Sequence, residues 1–336
     1  MSDTITPDVF RGRFALAVFS DGGVVLDLET GSYSRVNSSA AILLEELDRA
    51  DTTTAAVTKA ADRLQIPAAL ALEHFRALTT QLVGEGLRHE PPDPFRYRRS
   101  HDGGYDLWHG DRLVLHADER GERLTLVALP PTLPLPVYDY VSAVAPKLLF
   151  LRGVTVLHAS SWLRQGSLLG LSGKSRAGKT TTARTLAKHG GQLFSEDLLV
   201  LAADLSRPEA FLSGEATTHR WSHETSHQLE RGSGWASTDE LVRAASGPTV
   251  PLTDLWFLDV RRRGDKLQVH QLGRSEGLVL VLANHFLGAA GPDSWRRHFA
   301  ASRAISAAVT AYEVSVPAGL ENLDRAIGAY TTNSAS

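Results

Sequence analysis

The sequence predicts an α/β protein in two parts: a winged-helix-like amino-terminal module, then a P-loop domain carrying a mixed sheet. Three observations predict it. Short strand-like runs in residues 12–36 precede three amphipathic helical segments. Prolines break the chain at Pro91, Pro92 and Pro94, and again at Pro130, Pro131 and Pro136. A phosphate-loop motif, Gly173-Lys174-Ser175-Arg176-Ala177-Gly178-Lys179-Thr180, stands between a strand pattern and a helix pattern.

In chain order, residues 13–20 are apolar and stop at the turn signal Asp21-Gly22-Gly23. Strands follow over residues 24–28 and 33–36, parted by Thr30-Gly31-Ser32. Asn37-Ser38-Ser39 can cap a helix over residues 40–50, where Ile42, Leu43, Leu44 and Leu47 form an apolar stripe. Asp51-Thr52 opens a second helix over 53–64, and Ile66-Pro67 divides it from a third over 69–87. Residues 1–90 are therefore expected to form one domain. A connecting β-rich segment is expected over 95–135, with turns at His109-Gly110-Asp111 and at 118–122. The P-loop domain is expected over 136–330 and opens with a helix at 138–151; the tail from Thr331 is expected to fray.

Composition removes several classes of function. The chain has 336 residues, 43% of them apolar and 22% charged, as in ordinary globular proteins. Net charge is −3, so there is no basic field for a polyanion and nucleic acid is not an expected partner. The absence of cysteine excludes disulfides, thiolate metal sites and cysteine nucleophiles. The first residues carry no signal-peptide pattern, and no apolar run is long enough to span a bilayer, so the expected location is the cytosol and no membrane partner is expected.

The phosphate loop has the order its chemistry needs. Residues 167–171 read as a strand before it and residues 180–189 as a helix after it, ended by Gly190-Gly191. Glycines let backbone N–H groups turn toward phosphate oxygens, and the helix N-terminus adds its positive dipole end. Lys179 is then placed for the β- and γ-phosphates of ATP and the Thr180 hydroxyl for Mg²⁺, with Thr181 next on the helix. A second strand, residues 154–162 with His158 in its middle, is joined to the first through Gln165-Gly166; so tight a link predicts antiparallel neighbours and hence a mixed sheet.

Two acids compete for the role of proton acceptor. A short strand at 192–194 ends in Ser195-Glu196-Asp197, and an apolar strand at 255–258 ends in Asp259. Sequence physics alone does not choose between them. Glu215 is a further candidate metal ligand, and the segment from His219 to His223 lies where a substrate contact is needed. Lys174 and Arg176 are loop cations, and Arg261-Arg262-Arg263-Gly264-Asp265 is simplest as a charged turn. No metal-ligand spacing such as H-x-x-x-H is picked out, so zinc is not expected.

Leu157-His158-Ala159, the loop from Gly173 to Thr180 and Ser195-Glu196-Asp197-Leu198 together resemble the HPr kinase/phosphorylase family and its relatives, over about residues 138–327. The resemblance implies an ATP- and Mg²⁺-dependent phosphotransferase in which Asp197 accepts the proton and Lys179 and His158 belong to the active site. It favours Asp197 over Asp259. The family's paired aspartates are Glu196-Asp197 here, which makes Glu196 the companion of Thr180 at the metal, and its phosphorylase signature is not recognisable in residues 211–229. Some relatives phosphorylate seryl hydroxyls of ribosomally made precursor peptides, lasso peptides among them, and hexamers in the family leave a homo-oligomer open without the sequence deciding it.

Residues 25–31, 33–37 and 40–47 resemble the PqqD-like recognition domain of peptide-modifying systems. Such domains bind a leader peptide as an added strand against a sheet edge. Here the resemblance implies a precursor (leader) peptide as partner, held by the strand at 32–36 and the helix at 69–87.

Overall fold

The computed structural model describes residues 5–84, 95–174, 176–232, 234–243, 245–259, 266–286 and 291–333. Ser175, the first proline cluster, the last residues of the third expected helix, Val260, the charged turn at 261–265 and the end of the tail lie outside the described residues. The chain divides into two compact units. The first comprises Met1–Glu90, Gly273–Ala283 and Gly291–Arg303, and the second comprises the remainder.

In the first unit, helix α1 (Pro7–Arg13) opens with Thr6, whose hydroxyl accepts the N–H of Val9, and with proline at its start. The sequence reading begins with strands and has no helix there, although Thr6-Pro7 carries the signal. Strands β1 (Phe14–Phe19), β2 (Gly22–Asp27) and β3 (Tyr33–Val36) form an antiparallel sheet in that order, leaving β3 at an edge. Gly22 has φ 131°, and a Cβ there would lie 2.4 Å from the Val36 carbonyl oxygen. Helices α2 (Ser38–Arg49), α3 (Thr53–Leu64) and α4 (Ala68–Gly84) follow, the first two capped by Asn37 and Thr52. Phe10, Val25, Leu44, Leu47 and Phe75 are buried together as the core.

The second unit begins with β4 (Phe95–Arg99), β5 (Tyr105–His109), β6 (Arg112–Ala117) and β7 (Arg123–Leu126), an antiparallel meander. Helix α5 (Val137–Leu151) buries Tyr140, Val141 and Leu148 against it. Then come β8 (Thr155–Arg164), β9 (Ser167–Ser172), α6 (Lys179–Lys188), β10 (Gln192–Ser195), β11 (Leu198–Leu201), β12 (Glu209–Phe211) and α7 (Gly214–Glu230). They are followed by β13 (Trp235–Ser237), which joins the meander at β7, and by α8 (Asp239–Arg243), β14 (Thr249–Leu258) and β15 (Gln268–Gln271). Helices α9 (Arg274–Asn284) and α10 (Pro292–Ala308), strand β16 (Thr310–Ser315) and helix α11 (Leu320–Asn333) complete the chain.

The large sheet is mixed, as the tight link at Gln165-Gly166 predicts. Both linking residues have positive φ, 52° and 79°, and the hairpin pairs Ala159 with Ser172 through Arg164 with Ser167. On its other side β9 runs parallel to β14, which runs parallel to β16. Trp162, Leu171, Leu186, Trp256 and Ile327 fill the core between this sheet, α6 and α11. No described helix is long and apolar enough to cross a membrane.

The division departs from the expected 136–330 domain, because α9 and the first part of α10 pack within the first unit. Asp21 accepts the N–H and hydroxyl of Ser275 at 3.1 and 2.8 Å, and Arg35 on β3 meets Glu276 at 2.9 Å. Gly31 lies so close to Trp295 that a Cβ would come within 2.0 Å of the indole.

Candidate active site

The loop that carries the predicted phosphate motif connects the end of β9 to α6, and three of its described residues, Gly173, Arg176 and Gly178, hold positive φ. Gly173 has φ 137° with the Leu258 carbonyl oxygen 2.9 Å from any added Cβ, so only glycine fits. Gly178, at φ 95°, sits at the N-cap of α6 and offers no side chain to the first N–H groups of the helix. Arg176 holds φ 64°, a conformation that costs a residue with a Cβ about 1–2 kcal/mol. Lys174 and Arg176 point to solvent, Ala177 is buried, and Thr181 is exposed on the first turn of α6.

Lys179 is 7% exposed. Its ammonium donates to the loop's own carbonyl oxygens, Gly173 at 3.0 Å and Lys174 at 3.4 Å. Burial pushes its pKa down, and the nearby Asp197 carboxylate pulls it back up. A buried cation resting on two loop carbonyls, beside a helix start with no side-chain cap, has the chemistry to meet a polyphosphate. The Thr180 hydroxyl lies 3.3 Å from both the Ser160 hydroxyl and the Glu196 carbonyl oxygen.

The hairpin brings His158 against Asp197. Imidazole Nε2 lies 2.9 Å from Asp197 Oδ1, so the proton is assigned to Nε2. The hydrogen bond from His158 holds the Asp197 carboxyl below the usual carboxylate range, aided by the charges of His158, Lys179 and His219 and opposed by burial. The Asp197 side chain nonetheless stays 58% exposed, open to an incoming group. Asp259 stands after β14, the parallel neighbour of β9, with its N–H on the Val314 carbonyl.

Two expectations about acids meet a different geometry. The Glu196 carboxylate is turned to Arg184, with contacts at 2.6 and 3.1 Å, and its main-chain carbonyl is the group that faces Thr180 and Ser160. Glu215 has both oxygens engaged by consecutive N–H groups: Glu196 at 2.9 Å, Asp197 at 2.7 Å and Leu198 at 3.1 Å. It shapes the Asp197 turn rather than presenting itself to a metal. Among the described residues no three His, Asp or Glu side chains form a metal cage.

Helix α7 carries a histidine row. The H-x-x-x-H spacing is present twice, His219 to His223 and His223 to His227, and puts three imidazoles on one helix face. Tyr138 contacts this row, its hydroxyl 3.3 Å from His219 Nδ1. His219 also lies 3.9 Å from Glu215 and in the electrostatic field of Asp197. A cavity of about 470 Å³ lined by Ser213, Arg220, Trp221, Glu224 and Arg243 shares no residue with the phosphate loop.

Residues 22–87 match the family of coenzyme PQQ synthesis protein D, PqqD. The sheet edge at β3 and helices α2 to α4 thus form a PqqD-like domain, and the described part of the match ends with α4. Among solved structures, the HPr(Ser) kinase/phosphatase from Coxiella burnetii is a neighbour, with 10% identity, a TM-score of 0.24, and coverage of 54% of this chain and 99% of that one. The curated proteins contain no match.

Proposed function

We propose that this chain is an ATP- and Mg²⁺-dependent kinase that phosphorylates a serine or threonine hydroxyl of a ribosomally synthesised precursor peptide during natural-product maturation. Its PqqD-like module binds the leader of that peptide along β3. The observation that carries the reading is the joining of buried Lys179 and the His158–Asp197 pair beside one phosphate loop.

Asp197 is ionised at neutral pH and accessible. It accepts the hydroxyl proton while the bond from that oxygen to the γ-phosphorus forms and the bond from the γ-phosphorus to the bridging oxygen breaks, leaving ADP. A depressed pKa makes a weak base, which suits a loose transition state in which the proton leaves late. His158 fixes the carboxylate through Nε2, and Lys179 exchanges its loop carbonyls for phosphate oxygens. Mg²⁺, when bound with nucleotide, neutralises charge on the transferring group. Thr180 is the residue that would offer its hydroxyl to the ion, and the Glu196 carboxylate would have to leave Arg184 to join it.

The test is incubation of the full-length protein with Mg-ATP and any short serine- or threonine-bearing peptide encoded in neighbouring genes, read by intact mass and fragment mapping. One phosphate on a serine or threonine is the expected product. ATP hydrolysis with an unmodified peptide would replace transfer by a nucleotide-driven presenting role.

A further inference from the structure

One three-residue segment touches both arms of the site. Asn284 is the last residue of α9, and its Oδ1 accepts the N–H of Gly173 at 3.2 Å. Gly173 is thereby held at its nitrogen by Asn284 and at its oxygen by Lys179. The next residue, His285, is buried and forms an antiparallel bridge with Leu157. Phe286 donates its N–H to the Val156 carbonyl at 3.0 Å, and its ring centroid lies 5.4 Å from that of His158 at an angle of 34°. The hairpin pairing of β8 with β9 stops at Ala159 and Ser172. Residues 156–157 of β8 are met by His285 and Phe286 where the β9 partner has ended.

We infer that Asn284 and Phe286 are positioning residues for phosphoryl transfer, with separable effects: Asn284 sets the nucleotide arm and Phe286 the proton-accepting arm. The reasoning is geometric and rests on the proposed kinase reading. Gly173 turns the chain out of β9 in a conformation open only to glycine, with free rotation limited by whatever binds its N–H. Fixing that N–H fixes the carbonyl on which the Lys179 ammonium rests, and so the place from which Lys179 reaches phosphate. On the other arm, the Asp197 hydrogen bond defines one edge of the His158 ring while Phe286 covers its face. A ring held on edge and face keeps one orientation, and its carboxylate partner keeps one too. Lys147 lies 5.9 Å from the Phe286 ring and 4.0 Å from that of Tyr97, which ties the segment back to α5.

The experiment compares wild type, Asn284→Ala and Phe286→Leu in the full chain. Affinity is measured by titration with Mg-ATP, and turnover by phosphate release without peptide and by transfer to the precursor peptide. Loss of one acceptor to a loop N–H corresponds to a weakening of about ten-fold. Asn284→Ala is expected to raise the Kd and KM for ATP by about that factor with kcat little changed. Phe286→Leu keeps an apolar side chain over the imidazole but removes the flat face. It is expected to lower kcat several-fold at unchanged affinity for ATP. Parallel changes of KM and kcat in both variants would mark a merely structural segment and overturn the inference, as would no change in either. Wild type that binds ATP but transfers nothing would overturn the kinase reading, while the Asn284 arm is still decided by the Kd alone.

Discussion

The carboxylate of Glu215 accepts the main-chain N–H of Asp197 at 2.7 Å, with the N–H groups of Glu196 and Leu198 on the same side chain. One glutamate at the start of α7 therefore holds the turn that carries Asp197, the proposed proton acceptor. Glu215→Gln keeps the shape and removes the charge, and its amide can accept through only one oxygen. Hydrogen bonds to a charged acceptor contribute on the order of 1.5–3 kcal/mol each, and an orphaned N–H costs about as much. The expected result is a loss of about ten- to one-hundred-fold in kcat with ATP affinity retained, measured by steady-state kinetics and nucleotide titration. Weakened ATP binding at unchanged kcat would return Glu215 to a metal-binding role.

Lys179 and Asp197 are expected to fail differently. Lys179→Ala removes the buried charge that meets the phosphates, so ATP binding weakens and transfer stops. Asp197→Asn should keep nucleotide and lose roughly 10²–10⁴ in rate, the usual scale for a general base. Near-full activity in Asp197→Asn together with an inactive Asp259→Asn would move the chemistry to the end of β14.

Asp27 supplies a pH-dependent stability in the PqqD-like module. Burial would raise its pKa, but bonds from Arg13 at 2.7 and 3.2 Å and from the N–H groups of Glu29 and Thr30 outweigh it, and the net shift is downward. The folded pKa thus lies below the unfolded value of about 3.9. The contribution is present above that value and lost as pH falls through the folded pKa. Asp27→Asn should cost on the order of 1–3 kcal/mol at neutral pH. The gap between wild type and variant, followed by denaturant melts monitored on the module, should close at strongly acid pH. A gap independent of pH would mean that packing, not charge, sets the effect.

The proposed addition of a leader strand to β3 is testable from the peptide side. The Asp27 N–H bonds to the Ser32 carbonyl, so the alternating pattern of an antiparallel pair turns Ser34 inward to Val25 and leaves Tyr33 and Arg35 with outward backbone groups. An added strand must use those two residues. Single N-methylation along the synthetic precursor peptide should then weaken binding at every second position and spare those between, measured by titration with labelled peptide. Loss without a period of two would place the peptide somewhere other than this edge.

Much of this was legible in the sequence because it is local. The strand–loop–helix order around Gly173 to Thr180, the Gln165-Gly166 turn and the caps at Asn37 and Thr52 are decided by neighbours in the chain, and each stands where its residue types put it. What escaped was set by residues far apart. Glu215 looked like a metal ligand because its three backbone donors are named by folding and not by spacing. Glu196 likewise meets Arg184 across a strand turn. The histidine row on α7 is an exception: its i, i+4 and i+8 spacing is local, and it becomes one face once residues 214–230 are a helix. The segment at Asn284 carries no signature at all; it matters only because α9 ends beside Gly173.

The first unit borrows its last pieces from a stretch of chain nearly two hundred residues downstream. Leu278, Val281, Leu282, Trp295 and Phe299 are buried, and Asp21, Arg35 and Gly31 hold the helices that carry them. The module is therefore not a detachable cassette. A protein begun at residue 95 would strip Ser275 and Glu276 of Asp21 and Arg35, and Trp295 of its seat beside Gly31, and it is expected to melt below the full chain. Exchange of recognition modules between such proteins, by engineers or by recombination, would have to carry α9 and the start of α10 along. A graft of residues 1–90 alone should melt well below one that also brings 273–303.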